Sequence, residues 1–273
     1  MSIWVAILIV IAVSAVAGGL MLLLRRWAPA GGTFSDSDRA SSVFGMLASA
    51  FAIFLGFVIF LAFSDYDKAK GDAALEAQTT LQQFENSRLF GPTAQRTLEG
   101  ELICYARSVV HDEWPLMTGT DRRSPLTTQW VVALERSSEQ VPVVGQKAVA
   151  AFSLWLSQTA QRANARGSRL QEAQHPLPPL LWVLLGIAGV LLIGYVLMYA
   201  DSQERVRAQV MMASSVTAVT AAGILLIVFL NSPYGAGAGT IKPVDMANTL
   251  RLMEQEYPAR SPLPCDAHGA PRA

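Results

Sequence analysis

The chain has 273 residues, a formal net charge of zero and a mean hydropathy of +0.33. Charged residues make up 15% of it and hydrophobic residues 52%, whereas charged residues make up about a quarter of a typical soluble domain. This composition excludes an ordinary soluble globular protein. The zero net charge also gives no reason to expect nucleic acid as a partner.

Four apolar stretches without any Asp, Glu, Lys or Arg predict membrane-spanning helices. Each has about 20 residues, which is enough to cross the roughly 30 Å hydrocarbon layer as a helix. The stretches are Ile3 to Leu24, Ser41 to Ser64, Pro176 to Ala200 and Ala208 to Leu230. No basic residue precedes the first stretch, and its apolar run exceeds that of a signal peptide, so we expect it to be retained as a span.

The spacing of the spans predicts an all-α integral membrane protein. Short loops join the first two and the last two spans, so we predict two antiparallel helical hairpins. Between them, apolar residues such as Leu98, Leu102, Tyr105 and Val109 recur at spacings of three and four, which predicts a helical extramembrane insert. The predicted divisions are the first hairpin at 1–64, the insert at 65–175, the second hairpin at 176–231 and a Gly/Pro-rich C-terminal tail at 232–273, disordered after Tyr257.

The second span carries two overlapping patterns. Gly45, Ser49, Ala52 and Gly56 fall on one helical face, and small residues at that spacing predict a helix-packing face. Phenylalanines at every third position from 51 to 63 wind around the same helix, so some contact lipid and others contact protein or a lumen. For any single ring, packing or lipid contact is the simpler interpretation.

No predicted span contains an ionisable residue. Proton relays and charge-coupled transport usually require such residues at membrane depth, so their absence disfavours a proton-coupled transporter. A passive conduit with an apolar constriction stays compatible, because hydrophobic constrictions gate by dewetting.

The insert offers no catalytic or metal-binding constellation. His111, Asp112 and Glu113 are consecutive, so their side chains diverge on a helix and cannot form one metal site or acid/base pair. With only two cysteines and three histidines in the chain, we predict no metal, no cofactor and no enzymatic activity. Trp114 is predicted to be a buried anchor, and Pro115 to end its helix.

Three arginines lie on one helical face shortly before the third span: Arg162, Arg166 and Arg169. The simpler interpretation is a face in contact with water or lipid headgroups. The sharper alternative is an electropositive vestibule that attracts anions.

Cys104 and Cys265 share one compartment, because an even number of spans places the N-terminus, the insert and the tail on the same side of the membrane. They can pair only if that compartment is oxidising. We expect Cys104 to be a buried thiol and Cys265 to lie in the disordered tail, so pairing is the less favoured interpretation. Basic residues near the spans are almost balanced between the two sides, although Arg25 and Arg26 after the first span favour an insert outside the cytoplasm.

Several segments together resemble one bacterial membrane family. They are "SDY" after the second span, "YARSVVHDEWPLM", "RANARGSRLQEA", "LPPLLWVLLGIAG" and "LNSPYGAG". This combination is similar to the domain of unknown function 4239 (DUF4239) family, which is also described as bestrophin-like, over roughly residues 41–250. The most specific parts are Glu113, Trp114, Pro115 and Met117, with Leu177-Pro178 and Leu181-Trp182. The chain has Asn231 and Pro233-Tyr234 where the family usually has an acidic residue and Pro-Phe.

The resemblance implies a bestrophin-like architecture. Bestrophins are pentameric anion channels with two spans, a helical insert and two more spans, and apolar residues of the second span line their neck. By this resemblance the pore-lining candidates are Phe51, Phe54, Phe57, Val58 and Leu61. It also implies a cytoplasmic insert and a multi-pass protein of the bacterial inner (plasma) membrane.

We therefore predict a homo-oligomer in the lipid bilayer that conducts small anions. The three arginines of the insert are its anion-attracting candidates. The alternative is a non-conducting membrane scaffold or sensor whose helical insert recruits a partner, with the small-residue face serving helix packing alone.

Overall fold

The computed structural model describes residues 2–34, 36–119, 123–173, 177–235, 237, 239–258 and 261–272, without the side chains of residues 118 and 119. The helices are α1 (Ile3–Arg25), α2 (Ser37–Asn86), α3 (Pro92–Ser108), α4 (Trp114–Gly119), α5 (Pro125–Glu139), α6 (Gln146–Glu172), α7 (Pro179–Leu197), α8 (Val206–Leu230) and α9 (Val244–Glu256). A π-helical turn, Val109–Glu113, connects α3 to α4. The described residues contain no β-strand.

The four predicted spans are confirmed as helices long and apolar enough to cross a membrane: α1, α2, α7 and α8. The chain forms two compact units. Unit 1 comprises Met1–Tyr66 and Pro176–Ser232, and unit 2 comprises Asp67–His175 and Pro233–Ala273. The predicted boundary between insert and third span, at His175 and Pro176, lies outside the described residues.

One face of α2 packs against α7 and α8 within unit 1. The buried residues on this face recur at spacings of three and four, as expected for one side of a helix. They are Phe51, Leu55, Val58 and Ala62, and they pack in one cluster with Leu185, Leu192, Ile227 and Leu230. Because lipid is as apolar as these side chains, their packing depends on close van der Waals contact.

The first span packs along α8 at a close approach. A Cβ atom on Gly18 would lie 2.8 Å from Ser214 Oγ and 3.1 Å from Val210 Cγ1. The Ser214 hydroxyl donates to the backbone oxygen of Ser14 at 3.1 Å. A larger residue at position 18 would therefore force the side chains of α8 to shift, whereas a Cβ on Gly19 would meet no atom within 4 Å.

The α1–α2 and α7–α8 loops meet at one end of unit 1. Arg25 donates to the backbone oxygen of Ser202 at 2.7 Å and to Gln209 Oε1 at 3.2 Å. The Gly31 amide donates to Asp201 Oδ1 at 3.1 Å. All lysines and arginines of unit 1 belong to this end, namely Arg25, Arg26, Arg39, Arg205 and Arg207.

Helices α3, α5 and α9 pack together in unit 2. The predicted core positions Leu98, Leu102, Tyr105 and Val109 are all fully buried. The expectation that Pro115 ends its helix is wrong. The chain continues through the π turn into α4, and the Trp114 amide donates to the Val109 oxygen five residues earlier. This wider turn keeps the helix continuous up to a proline that has no amide hydrogen to donate.

Two expectations about the end of the chain are also wrong. Residues 261–272 pack against the rest of unit 2, where the Trp130 indole donates to the Gly269 backbone oxygen at 2.6 Å. Cys265 is fully buried and forms a disulfide with Cys104. The Pro- and Gly-rich composition suggested disorder, but specific contacts to α3 and α5 hold this segment in place.

The glycine contact between α1 and α8 predicts a position-specific effect. Gly18→Leu should lower the free energy of unfolding by about 1–3 kcal/mol, the usual cost of overpacking a close contact. Thermal unfolding of the detergent-purified protein measures the change. Gly19→Leu is the matched control and should unfold like the wild type. Equal melting temperatures for the two variants would contradict the close α1–α8 approach.

Candidate functional site

The second span exposes an apolar face on the side opposite its packed residues. At about 100° per residue, Ile53 and Phe60 point away from the side on which Leu55 and Ala62 are buried. Phe57 lies beside them, and the side chains of Ile53, Phe57 and Phe60 are exposed in this chain by 75%, 58% and 64%. A long apolar face without ionisable residues therefore remains available for lipid, another subunit or a lumen.

The structure separates the five pore-lining candidates into three groups. Phe51 and Val58 are buried in the cluster with α7 and α8, so their predicted place in a lumen is wrong for this packing. Phe54 and Leu61 are half-buried, and Phe54 packs against that cluster. Phe57 is the candidate whose ring lies on the exposed face.

The predicted helix-packing face of α2 lies uncovered within this chain. Gly45, Ser49, Ala52 and Gly56 are all exposed. A Cβ atom added to Gly45 or Gly56 would meet nothing within 4 Å. If these small residues serve helix packing, their partner is a helix of another molecule.

A buried polar network lies inside unit 2 and contains two glutamates and two arginines. Arg169 Nε donates to Glu76 Oε2 at 2.6 Å, and its Nη2 donates to Glu113 Oε2 at 2.7 Å. Arg166 Nε donates to Glu113 Oε2 at 3.1 Å. The Tyr105 hydroxyl completes the network by donating to Glu76 Oε1 at 2.6 Å.

The network gathers distant parts of the sequence around the Glu-Trp-Pro motif. Glu76 comes from α2, Glu113 from the end of the π turn, and both arginines from α6. Arg169 also contacts the Met117 sulfur at 2.7 Å and lies 5.0 Å from the centre of the Trp114 ring. Three of the four motif residues, Glu113, Trp114 and Met117, therefore contact one buried guanidinium.

The arginine face was predicted to contact water or headgroups, and this expectation is wrong. Arg162, Arg166 and Arg169 are exposed by only 3%, 8% and 0%. Carboxylates neutralise Arg166 and Arg169, so neither is free to attract an anion. Arg162 lies 4.6 Å from the centre of the Tyr105 ring, and its Nη1 atom has no hydrogen-bond partner among the described residues.

Burial and charge act against each other on the Glu113 carboxyl. Burial raises its pKa, but the hydrogen bond from Arg166 and the charges of Arg169 and Arg166 outweigh burial and hold the pKa below its ordinary value of 4.5. For Arg162, which lacks a bonded carboxylate, burial prevails and lowers the pKa. The network thus holds Glu113 ionised in the folded protein.

Asn231 and Tyr234, which differ from the usual residues of the DUF4239 family, both make hydrogen bonds in this structure. Asn231 Oδ1 accepts a hydrogen bond from the Leu177 amide at 2.6 Å, as a carboxylate oxygen at this position would. The Tyr234 hydroxyl, absent from phenylalanine, donates to the Ala69 oxygen at 2.7 Å. Its ring also packs edge-on against Trp114, with 5.6 Å between ring centres.

Sequence reasoning missed Glu76 and the Tyr105 hydroxyl as members of the network. The apolar pattern gave no signal for Glu76, because a glutamate close to polar residues such as Gln78 is typical of a solvent-facing position. His111 and Asp112 point elsewhere, and Asp112 accepts a hydrogen bond from the Ser124 hydroxyl. Within the described residues no group of three or more His, Cys, Asp or Glu could hold a metal ion.

The buried network predicts a large, acid-sensitive effect of Glu113→Gln. At neutral pH this change leaves Arg166 and Arg169 short of one carboxylate, so the free energy of unfolding should fall by about 3 kcal/mol. Because the folded pKa of Glu113 is depressed, its contribution is present above pH 4.5 and is lost as the pH falls through the folded pKa. The difference between variant and wild type should therefore shrink below pH 4.5.

Chemical unfolding of the purified protein at several pH values measures this difference. Glu256→Gln is the control, since Glu256 pairs with Arg88 at the surface and such pairs contribute less than about 1 kcal/mol. A loss for Glu113→Gln no larger than that of the control would contradict the network.

Comparison with known proteins identifies the family. A sequence model of the Bestrophin-like domain matches residues 11–245. Two crystal structures of variants of a bacterial Bestrophin homolog from Klebsiella pneumoniae superpose with TM-scores of 0.70 and 0.67. Each is 16% identical, and each match covers 91% of this chain and 98% of the other.

At 16% identity this likeness shows the fold alone. Among curated proteins, none matches the chain. Because the sequence match spans most of its length, this protein belongs to the bestrophin-like domain family.

Proposed function

We propose that this protein assembles into a ring of identical subunits in the bacterial inner membrane and conducts small anions through an apolar neck formed by α2. The observation that carries the proposal is the exposed, charge-free face of α2, on the side opposite its packing within the subunit. Membership of the bestrophin-like family supports it, since bestrophins are anion channels. The spans of one chain enclose too little space for a conduit, so a ring is needed.

The positions around α2 suggest which side faces the axis of such a ring. The packed side holds α7 and α8 of the same subunit, so the opposite side, with Ile53 and Phe60, faces the axis. Phe57 lies between this side and the half-buried edge formed by Phe54 and Leu61. Rings of these side chains would form an apolar constriction, which conducts ions only when water enters it.

The two edges of α2 differ in size, and this difference supports contact between neighbouring copies. One edge carries Gly45, Ala52 and Gly56, and the other carries the bulky Phe54 and Leu61. The bulky edge of one copy fits against the small edge of the next. Such a head-to-tail contact joins two different surfaces and closes into a ring when its rotation divides a full turn.

The neck proposal predicts altered conduction in Phe57→Ala. Removing the ring widens and wets the constriction, so anion flux through sealed proteoliposomes should rise several-fold over the wild type. Leu191→Ala is the control, since Leu191 is an exposed apolar residue of α7, and its flux should stay unchanged.

Particle images of the same preparation should show a symmetric ring of subunits. A properly inserted monomer or dimer without flux would overturn the channel proposal. The alternative of a non-conducting scaffold or sensor would then remain, and the search would turn to proteins that bind unit 2.

The ring proposal makes a separate prediction for the small edge of α2. Gly56→Leu places a large side chain where the chain's own atoms leave open space. The subunit should therefore fold normally, but the ring should dissociate because the neighbouring copy no longer fits. The molecular mass of the detergent-purified particle measures this effect.

Gly186→Leu is the matched control, because Gly186 in α7 is equally free of neighbours within 4 Å. Its ring should persist. Intact rings in both variants would show that the small edge of α2 is not the contact between subunits.

A further inference from the structure

The disulfide between Cys104 and Cys265 joins two remote parts of unit 2. Both cysteines are fully buried, and 161 positions separate them in the sequence. They are the only cysteines of the chain. Every thiol of this protein is therefore used in one covalent bond, which ties the last folded segment to α3.

Contacts independent of the sulfur atoms hold this segment in the same place. Arg107 Nη1 donates to the backbone oxygen of Asp266 at 2.8 Å, and the Trp130 indole donates to the backbone oxygen of Gly269. Gly269 has a φ of +87°, and a Cβ atom there would lie 2.7 Å from the Ser108 amide nitrogen. Only glycine permits so close an approach to α3. The folded segment thus presents Cys265 to Cys104, one helical turn before Ser108.

We propose that unit 2 lies outside the cytoplasm, in an oxidising compartment where a thiol–disulfide oxidase joins Cys104 to Cys265. Protein disulfides form and persist in such compartments and are rare in the reducing cytoplasm. The two S–H bonds break and one S–S bond forms, and the two electrons and two protons pass to the oxidase disulfide, which becomes a dithiol. The proposal does not depend on whether the protein conducts ions.

The charges of unit 1 support the same orientation by a separate argument. Its basic residues all belong to the end where the α1–α2 and α7–α8 loops meet. Lysine and arginine in short loops favour the cytoplasmic side. The opposite ends of the spans, from which the chain enters unit 2, then face the exterior.

Six basic residues on the other side balanced the count in the sequence, but they carry less weight against this orientation: Lys68, Lys70, Arg162, Arg166, Arg169 and Lys242. They belong to unit 2, and long extramembrane segments cross the membrane largely regardless of their charge. Lys68 is also paired with Glu172 at 2.9 Å. The orientation that follows is opposite to the cytoplasmic insert implied by the wider resemblance to bestrophins.

Labelling of introduced cysteines in intact bacteria tests the orientation. Because the native cysteines are bonded to each other, one added cysteine is the only free thiol. Lys147→Cys places it at the exposed start of α6 in unit 2, and Glu204→Cys places it in the exposed α7–α8 loop. A membrane-impermeant maleimide should label Lys147→Cys in intact cells and Glu204→Cys only after lysis. The reverse pattern would overturn the proposal.

A second measurement uses the unaltered protein. Cells are quenched in acid, and the full-length chain is denatured and treated with a maleimide of known mass. No label should add without a reductant, and two labels should add after reduction. Two labels without reductant would show free thiols in the cell, which would overturn the proposal even if the added cysteines behaved as expected.

Discussion

The contact of Glu113 with Arg166 and Arg169 sets the arrangement of unit 2. Burying two glutamates and two arginines costs several kcal/mol per ion, and only mutual pairing offsets that cost. Any shift of α2, α6 or the π turn would leave a charge buried without its partner. The network therefore contributes chiefly to specificity, because it admits one register of these helices and excludes neighbouring ones. Met117 and Trp114, which contact Arg169, belong to the same motif, so the motif is explained by packing around a buried cation.

The π turn shows why periodicity predicted most of this region but failed at its centre. Leu98, Leu102, Tyr105 and Val109 follow helical spacing and are buried as expected. The same spacing continued would bury positions 112 and 116, but the structure buries Glu113 and Met117 instead. One extra residue in the π turn moves the buried face by one position, about 100° around the axis. Nothing in the apolar pattern indicates that extra residue, so helical periodicity could not predict that Glu113 is buried.

The membrane part was more predictable than the insert, for a physical reason. A span needs about 20 consecutive apolar residues, so one continuous segment of the sequence is enough to predict it. The identity of neighbouring helices is set by side-chain fit between distant segments, which composition does not reveal. The five phenylalanines from 51 to 63 illustrate the limit, since periodicity showed that they wind around the helix but could not show that Phe51, like Val58, faces α7 and α8. Likewise, the tail composition concealed the contacts that order Cys265.

Helix α2 belongs both to the membrane-spanning part and to the insert. Its membrane-spanning part, Ser41 to Ser64, is charge-free because an unpaired ion at membrane depth is expensive, and it leaves a broad apolar face unused within the subunit. Its second half carries Glu76, a buried charge that is tolerated because Arg169 and Tyr105 satisfy it. The same helix therefore meets two opposite requirements: charge is excluded from its membrane-spanning part and is paired where it is buried in unit 2.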